Sequence, residues 1–453
     1  MSSMPYADPG LQEKQPPLVA QLADLPAAEG LERQSRSAPS KAANAGPLAI
    51  DKPTMARINA ALDKVAQEMY NATFDKCNSE QKAQTLLLTL QDGGTFSLTY
   101  NRMENEKPQT VTEFLKSGKG NCADFSRLLV AVAKEKGLPV QMVSVTFQAQ
   151  NGSKEEEQHL AVFSMGDKTY YLDLSNQVMR SYSGFASTQD LVKDSKFQGD
   201  ILLDYKRATK DGNEYIPAEE PRIMTGEKAY QATYWAEVGH YYLQKPAEKP
   251  EEKKQVLNEA INAFNKALSL ELESHWVYAE LGYAHFKKDE DANAIKYGEK
   301  ALELRGAARV YLFVGDAHFH LKTSKHFEKA IDSFTQGLKI EKIPTMEFDL
   351  AMTHLNLGVN LGRSGDNTNA VKHFDEALRI FDALYHEVLT NGIPLAALGN
   401  YTSLAYQNKA VYVNNSGDLE GAIKIVDAGI TELERKGVDT TDLKALRKTL
   451  KLP

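Results

Sequence analysis

Apolar residues first fall into a regular pattern just past residue 50. Ile58, Ala61, Leu62, Val65 and Met69 recur at helical spacing behind a Pro53-Thr54 start signal. Thr95–Tyr100 reads as a short strand after the Asp92-Gly93-Gly94 turn, and Val111–Leu115 as a short helix. Ala123–Lys136 is a longer helix, stopped by Gly137 and then Pro139. Three strands are predicted next, over Val140–Phe147, His159–Ser164 and Thr169–Leu174. Helices followed by strands predict an α+β domain, placed over residues 53–215. Residues 1–52 show no sustained period. They are rich in Ser, Ala, Pro, Gln and Glu, which predicts a disordered tail, with an export or chaperone-binding segment as the alternative.

From about residue 225 the pattern is helical and repeats. The series Ala260/Phe264/Ala267, Ala294/Gly298/Ala301, Ala330/Phe334/Gly337, Ala370/Phe374/Ala377 and Ala422/Val426/Gly429 has leading alanines spaced by 34, 36, 40 and 52. Leu281-Gly282 and Leu357-Gly358 stand twelve residues before two of these alanines. Val238-Gly239, Val314-Gly315 and Ala410 take the equivalent place in the other copies. Small residues there let two antiparallel helices approach, and the large residue fills the gap to the next pair. This signature resembles the tetratricopeptide repeat. The resemblance implies an all-α superhelix over 225–453, with about five repeats and a capping helix at Leu443–Leu450. Longer loops in copies one and five, and Gly298 at a bulky position, depart from the pattern.

A chain of 453 residues predicts about three domains at roughly 150 residues each. Its 53 basic and 61 acidic residues give a net charge of -8, which argues against a chain built to coat nucleic acid or an anionic membrane. The two cysteines, Cys77 and Cys122, exclude a disulfide scaffold and favour a reducing compartment. No apolar run approaches the ~18 residues of a membrane span. Pro5, Pro9, Pro16 and Pro17 interrupt any signal-peptide pattern. The expected location is the cytoplasm, or export by a route without a recognisable signal.

Candidate chemistry concentrates in Lys119-Gly-Asn-Cys-Ala-Asp-Phe-Ser126, where Cys122 sits at the change from loop to helix. The N–H groups and dipole of a first helical turn stabilise a thiolate there. His159 is the only histidine before residue 240, so it is the base available to a Cys–His pair in this domain. A hairpin with a three-residue loop at Met165-Gly166-Asp167 would pair positions summing to 332, and 159 plus 173 is 332. His159 and Asp173 would then be cross-strand neighbours, with Cβ atoms roughly 4.5–5.5 Å apart. A two-residue turn at Gly166-Asp167 would put them on opposite faces.

Gly-x-Cys at the start of a helix that ends in Gly-Leu-Pro, a strand His about forty residues on, and an Asp on the next strand resemble the transglutaminase-like domain, a relative of papain-type cysteine proteases. The likeness runs from Tyr100 to about Tyr182. It implies Cys122 as nucleophile, His159 as general base and acid and Asp173 as orienting carboxylate, acting on a carboxamide or peptide carbonyl through a thioester. The backbone N–H of Cys122 would be one oxyanion donor, with Tyr100 and Gln109 as candidates for the second. Asn121 receives no role. Hydrolysis is favoured over crosslinking because bacterial-looking members of the superfamily resemble peptidases more than crosslinkers. The repeats imply a protein or peptide partner. The alternative is an inactive scaffold whose repeats supply the function.

No cofactor and no metal are expected. His318, His320 and His326 read as ordinary packing, Glu155-Glu156-Glu157 as a solvated loop, and Gly93-Gly94 lacks the lysine and spacing of a phosphate loop. Cys77 reads as an ordinary surface or helix-end thiol, and Trp235 and Trp276 as repeat core.

Overall fold

The structure, a computed structural model, describes residues 47–450 apart from internal stretches at 101–106, 150–154, 199–214 and 387–392 and several shorter ones. The tail expected over 1–52 lies outside the described residues up to position 46. Its last residues are structural rather than tail-like. Leu48 is buried, the Pro47 carbonyl accepts from the Val111 N–H, and the Ala49 carbonyl accepts from the Thr112 hydroxyl.

The first helix, α1 (Lys52–Tyr70), is capped by Asp51, with Pro53 in its first turn, and buries Met55, Ile58, Leu62 and Ala66. Met69, at the end of the predicted stripe, is exposed. Next come α2 (Ser79–Leu90), which the sequence reading omitted, and a two-residue strand β1 (Thr99–Tyr100). They are followed by α3 (Val111–Ser117), β2 (Lys119–Gly120) and α4 (Cys122–Glu135). β1 and β2 pair in parallel, Thr99 with Lys119 and Tyr100 with Gly120. Part of the strand expected at Thr95–Tyr100 lies outside the described residues.

Helix α4 is buried continuously from Ala123 to Ala133, the mark of a helix enclosed by its domain. It stops where Gly137 takes φ +65°, and the Leu138 N–H reaches back to the Ala133 carbonyl at 2.8 Å.

The sheet contains β3 (Val140–Ala149), β4 (Glu155–Met165), β5 (Lys168–Asp173) and β6 (Val178–Ser183), followed by the short β7 (Tyr215–Pro217) and β8 (Arg222–Met224). Its order is β6-β5-β4-β3-β7, all antiparallel neighbours, and β8 also pairs with β3. One sheet face, with Met142, Ala161, Tyr170 and Leu172, shares a core with Phe125, Leu128 and Leu129 of α4. The other, with Val143, Val145, Val162 and Tyr171, packs against Leu191 and Phe197. Glu155, Glu156 and Glu157 are not loop residues. They extend β4, opposite Gln148, Phe147 and Thr146.

Five helical pairs follow. They are α5 (Gly226–Gln244) with α6 (Pro250–Ser269), α7 (His275–Phe286) with α8 (Asp291–Leu304), and α9 (Ala308–His320) with α10 (Ser324–Ile340). Then come α11 (Pro344–Arg363) with α12 (Asn367–Tyr385), α13 (Leu395–Asn415) with α14 (Leu419–Arg435), and a last helix α15 (Thr441–Thr449).

All five repeat triplets are buried as predicted. In the first copy a Cβ on Gly239 would lie 2.7 Å from the Phe264 ring. In the second copy the bulky position is Gly298, and a ring from the next helix replaces it. Phe313 lies 3.1 Å from a Cβ on Gly282 and 2.9 Å from one on Gly298. The described chain divides into two compact units at Glu280/Leu281, within α7, so the first helical pair belongs to the same unit as the α+β core. Among the described residues no helix is long and apolar enough to cross a membrane.

Candidate active site

The turn that presents Cys122 is built by its neighbours. Gly120 precedes it because a side chain has no room: a Cβ there would lie 2.7 Å from both an Asp124 carboxylate oxygen and the Phe114 ring. Asn121 is the N-cap of α4. Its Oδ1 accepts from the N–H groups of Ala123 at 3.0 Å and Asp124 at 3.1 Å, while Asp124 Oδ2 accepts from the Asn121 N–H at 3.0 Å. This is a complete capping box, and Cys122 is the first helical residue inside it. The Asn121-x-x-Asp124 spacing carried that signal in the sequence, where Asn121 had received no role.

The two cysteines differ in setting. Cys122 is half-buried, and Cys77 belongs to the apolar core, 5% exposed, with Sγ 3.5 Å from the Thr73 carbonyl. Burial pushes the Cys77 thiol pKa up. Cys77 is thus a helix-end thiol as expected, closing the short turn Phe74–Lys76, but it is a core residue and not a surface one. Neither cysteine is in a disulfide.

His159 lies in β4 opposite Ser144. Its register position, two from Ala161, is on the same sheet face as Ala161 and Met142, the face that shares a core with α4. The expected hairpin register is corrected. Met165 pairs with Lys168 and Ala161 with Leu172, so paired positions sum to 333 and only residues 166 and 167 intervene. Position 173 then shares the other face with Tyr171, and the cross-strand pairing of His159 with Asp173 is not formed by this register. Asp173 is a buried carboxylate, 3% exposed, that accepts from the Ser175 hydroxyl at 2.6 Å.

The two candidate oxyanion donors both border the Cys122 loop. Tyr100 pairs with Gly120, and the Gln109 amide donates to the Lys119 carbonyl at 2.7 Å.

Arg127 was not singled out from the sequence. It is fully buried in α4 and makes ion pairs of 2.7 Å to Asp124 and 2.7 Å to Glu237 of α5. The two carboxylates outweigh the burial cost and hold the guanidinium firmly charged. An isolated arginine amid apolar residues gave no pattern that would find its partner 110 positions away.

In the repeats, His318 Nδ1 lies 3.0 Å from His326 Nδ1, and His320 Nδ1 lies 3.1 Å from Asp291. Among the described residues no three His, Cys, Asp or Glu side chains gather as a metal site.

Comparison with known proteins matches the Transglutaminase-like superfamily core to residues 63–171 and a tetratricopeptide repeat to residues 277–307. The first match includes Cys122 and His159 and ends two residues before Asp173. A curated relative, Response regulator aspartate phosphatase I of Bacillus subtilis (strain 168), is 25% identical over 208 residues, 43% of this chain and 51% of that protein. The chain thus spans about half the length of the curated relative it matches.

Similar solved structures include the MamA protein, at 18% identity and TM-score 0.31 over 47% of this chain and 96% of that one. The apo form of RapI matches at 19% and 0.31 over 56% and 63%. YrrB, a TPR protein with an unusual peptide-binding site, matches at 14% and 0.30 over 55% and 97%. The chain carries a transglutaminase-like α+β core followed by tetratricopeptide-like helical pairs.

Proposed function

We propose that the protein is a cysteine-dependent acyl-transfer enzyme acting on a protein or peptide, with Cys122 as nucleophile, His159 as general base and acid and Asp173 as orienting carboxylate. The observation that carries this reading is the place of Cys122, half-buried as the first residue of α4 under a complete capping box. A thiol at that point gains from the N–H groups and the positive end of the helix dipole, which favour its ionised form. His159 takes the thiol proton, and the thiolate attacks a carboxamide or peptide carbonyl carbon. The C–N bond breaks, the amine leaves with the proton from His159, and a thioester remains. Water, deprotonated by His159, then attacks the thioester and releases the acid. Hydrolysis is preferred over transfer to a second amine by the likeness to peptidase-type members. The helical pairs recruit the substrate or a partner protein.

The orienting role of Asp173 rests on the family likeness alone, because the register withdraws the cross-strand argument for it. That same observation favours the second reading, a transglutaminase-fold platform without catalysis whose repeats bind a partner.

The two readings separate without a substrate. At about pH 6 an ordinary thiol of pKa ~8.5 is almost wholly protonated and reacts slowly with limiting iodoacetamide. Fast labelling of Cys122, mapped by mass spectrometry and lost in His159→Ala, supports the enzyme. Labelling of Cys122 at the rate of a small-molecule thiol removes it.

A further inference from the structure

A chain of contacts runs from the first repeat helix to the nucleophile's turn. It starts at Glu237 on α5, passes to Arg127 at 2.7 Å and on to Asp124 at 2.7 Å, and ends at the Asn121 N–H at 3.0 Å, one residue before Cys122. Asp124 uses Oδ1 for Arg127 and Oδ2 for the cap. Tyr230, Tyr234 and Glu237 lie on one face of α5 at helical spacing. Tyr230 is part of the α+β core, and the Tyr234 ring centroid stands 5.9 Å from the Arg127 guanidinium. All these residues belong to one compact unit.

An anchor between two helices needs no buried ions, since apolar side chains of similar volume serve as well or better. An apolar side chain fails at a different task. Asp124 caps the turn as a carboxylate, and its negative charge, two residues from Cys122, opposes formation of a thiolate. Arg127 cancels that charge without taking Asp124 off the cap. Glu237 holds Arg127 on the far side, and removal of Arg127 would leave two carboxylates near the turn.

We propose that Arg127 and Glu237 are positioning residues for Cys122, through which the first repeat helix forms part of the reactive site rather than a separate binding module. The inference rests on the thiol reading above. It assigns α5 to the catalytic unit and gives the chain a route by which events on its first repeat alter the reactivity of the thiol.

The test uses the full chain and reads the rate of Cys122 alkylation by iodoacetamide as a function of pH, alongside thermal melting. Cys77 labelling reports whether the shared core has opened, since Cys77 is buried in it. In the double variant Arg127→Met/Glu237→Leu both buried partners become apolar, so an anchoring role is restored while the counter-charge to Asp124 is lost. The expected result is a lowered melting temperature, since buried Asp124 has lost its partner, with Cys77 still shielded and Cys122 alkylation at about pH 6 slowed about tenfold, equivalent to a rise of about one unit in the thiol midpoint. Arg127→Lys, which keeps the charge, recovers part of the rate.

A double variant with the wild-type rate and midpoint overturns the inference and leaves the enzyme reading intact. A wild-type Cys122 that already titrates near ~8.5 removes the enzyme reading, and this inference with it. Where Arg127→Met alone exposes Cys77, the double variant decides.

Discussion

Gly358 and Phe374 share one volume: a Cβ on the glycine would stand 2.7 Å from a carbon of the phenylalanine ring. The distance between α11 and α12 is therefore set by one ring against bare backbone. Gly358→Ala gains up to about 1 kcal/mol in helix propensity but overpacks the contact by about 1–3 kcal/mol. The expected result is net destabilisation of the repeat unit by about 1–2 kcal/mol. Phe374→Leu costs stability by itself, and the double variant loses less than the sum of the singles, because each change relieves the other. Denaturant midpoints of the four proteins measure the coupling. Strict additivity would mean that the ring does not set the spacing.

Asn121 connects stability to reactivity at the proposed nucleophile. Asn121→Ala removes the acceptor for two first-turn N–H groups and costs about 1 kcal/mol. It also slows alkylation of Cys122. Asn121→Asp keeps the acceptor and the stability but places a negative charge beside the thiol, so the melting temperature holds while the alkylation rate at about pH 6 falls. Asn121→Ser preserves both. A normal alkylation rate in Asn121→Asp would show that the charge around this turn does not govern the thiol.

How far the sequence could be read depends on whether the deciding contacts were local. The five repeat triplets were legible because helical spacing and close helix packing act through residues a few positions apart, and Ala370, Phe374 and Ala377 are buried accordingly. The start of α4 was legible for the same reason, since Gly120, Asn121 and Asp124 act within one turn. The β4–β5 register was not, because loops of two and three residues around Gly166 differ by one position and both suit the same apolar pattern. Arg127 stayed hidden because its meaning depends on Glu237, brought to it by the fold. The place of α5 stayed hidden as well, because Tyr230 completes the α+β core while belonging by period to the repeats.

Two histidine pairs predict the response to acid. His318 and His326 place their Nδ1 atoms 3.0 Å apart, and His354 and His373 place theirs 2.9 Å apart. In each pair one ring donates and the other accepts, so a second proton on the accepting nitrogen would break the contact. Burial, with added repulsion from neighbouring cations, pulls His318 and His354 down to about 4. The unfolded rings titrate near ~6.5, so the unfolded chain binds more protons between these values. Stability that is complete above about pH 6.5 is lost as the pH falls towards about 4. His354→Gln, which cannot gain the proton, is expected to flatten the decline in melting temperature between about pH 7 and pH 5. An unchanged slope in both His354→Gln and His318→Gln would place the acid sensitivity elsewhere.

The alkaline side has the opposite sign and a separate cause. Asp316 on α9 and Asp349 on α11 are buried at 2% and 6% exposure, and the Oδ2 of each has no hydrogen-bond partner among the described residues. Burial raises Asp349 to about 7. Burial, the charge of Asp349 and then that of Asp291 hold Asp316 well above the ordinary carboxylate range. In the unfolded chain both titrate near ~3.9, so the folded protein keeps protons that the unfolded chain has released. The contribution is complete below about pH 4 and is lost as the pH rises through about 7. Asp349→Asn substitutes a neutral group of the same shape and removes the cost of ionisation. The variant is expected to melt above wild type at about pH 8 and to match it, or fall slightly below, at about pH 5. A parallel shift at both values would reflect altered packing alone, and a variant less stable than wild type at about pH 8 would mean that the native pair is charged and held by partners that the Asn cannot satisfy.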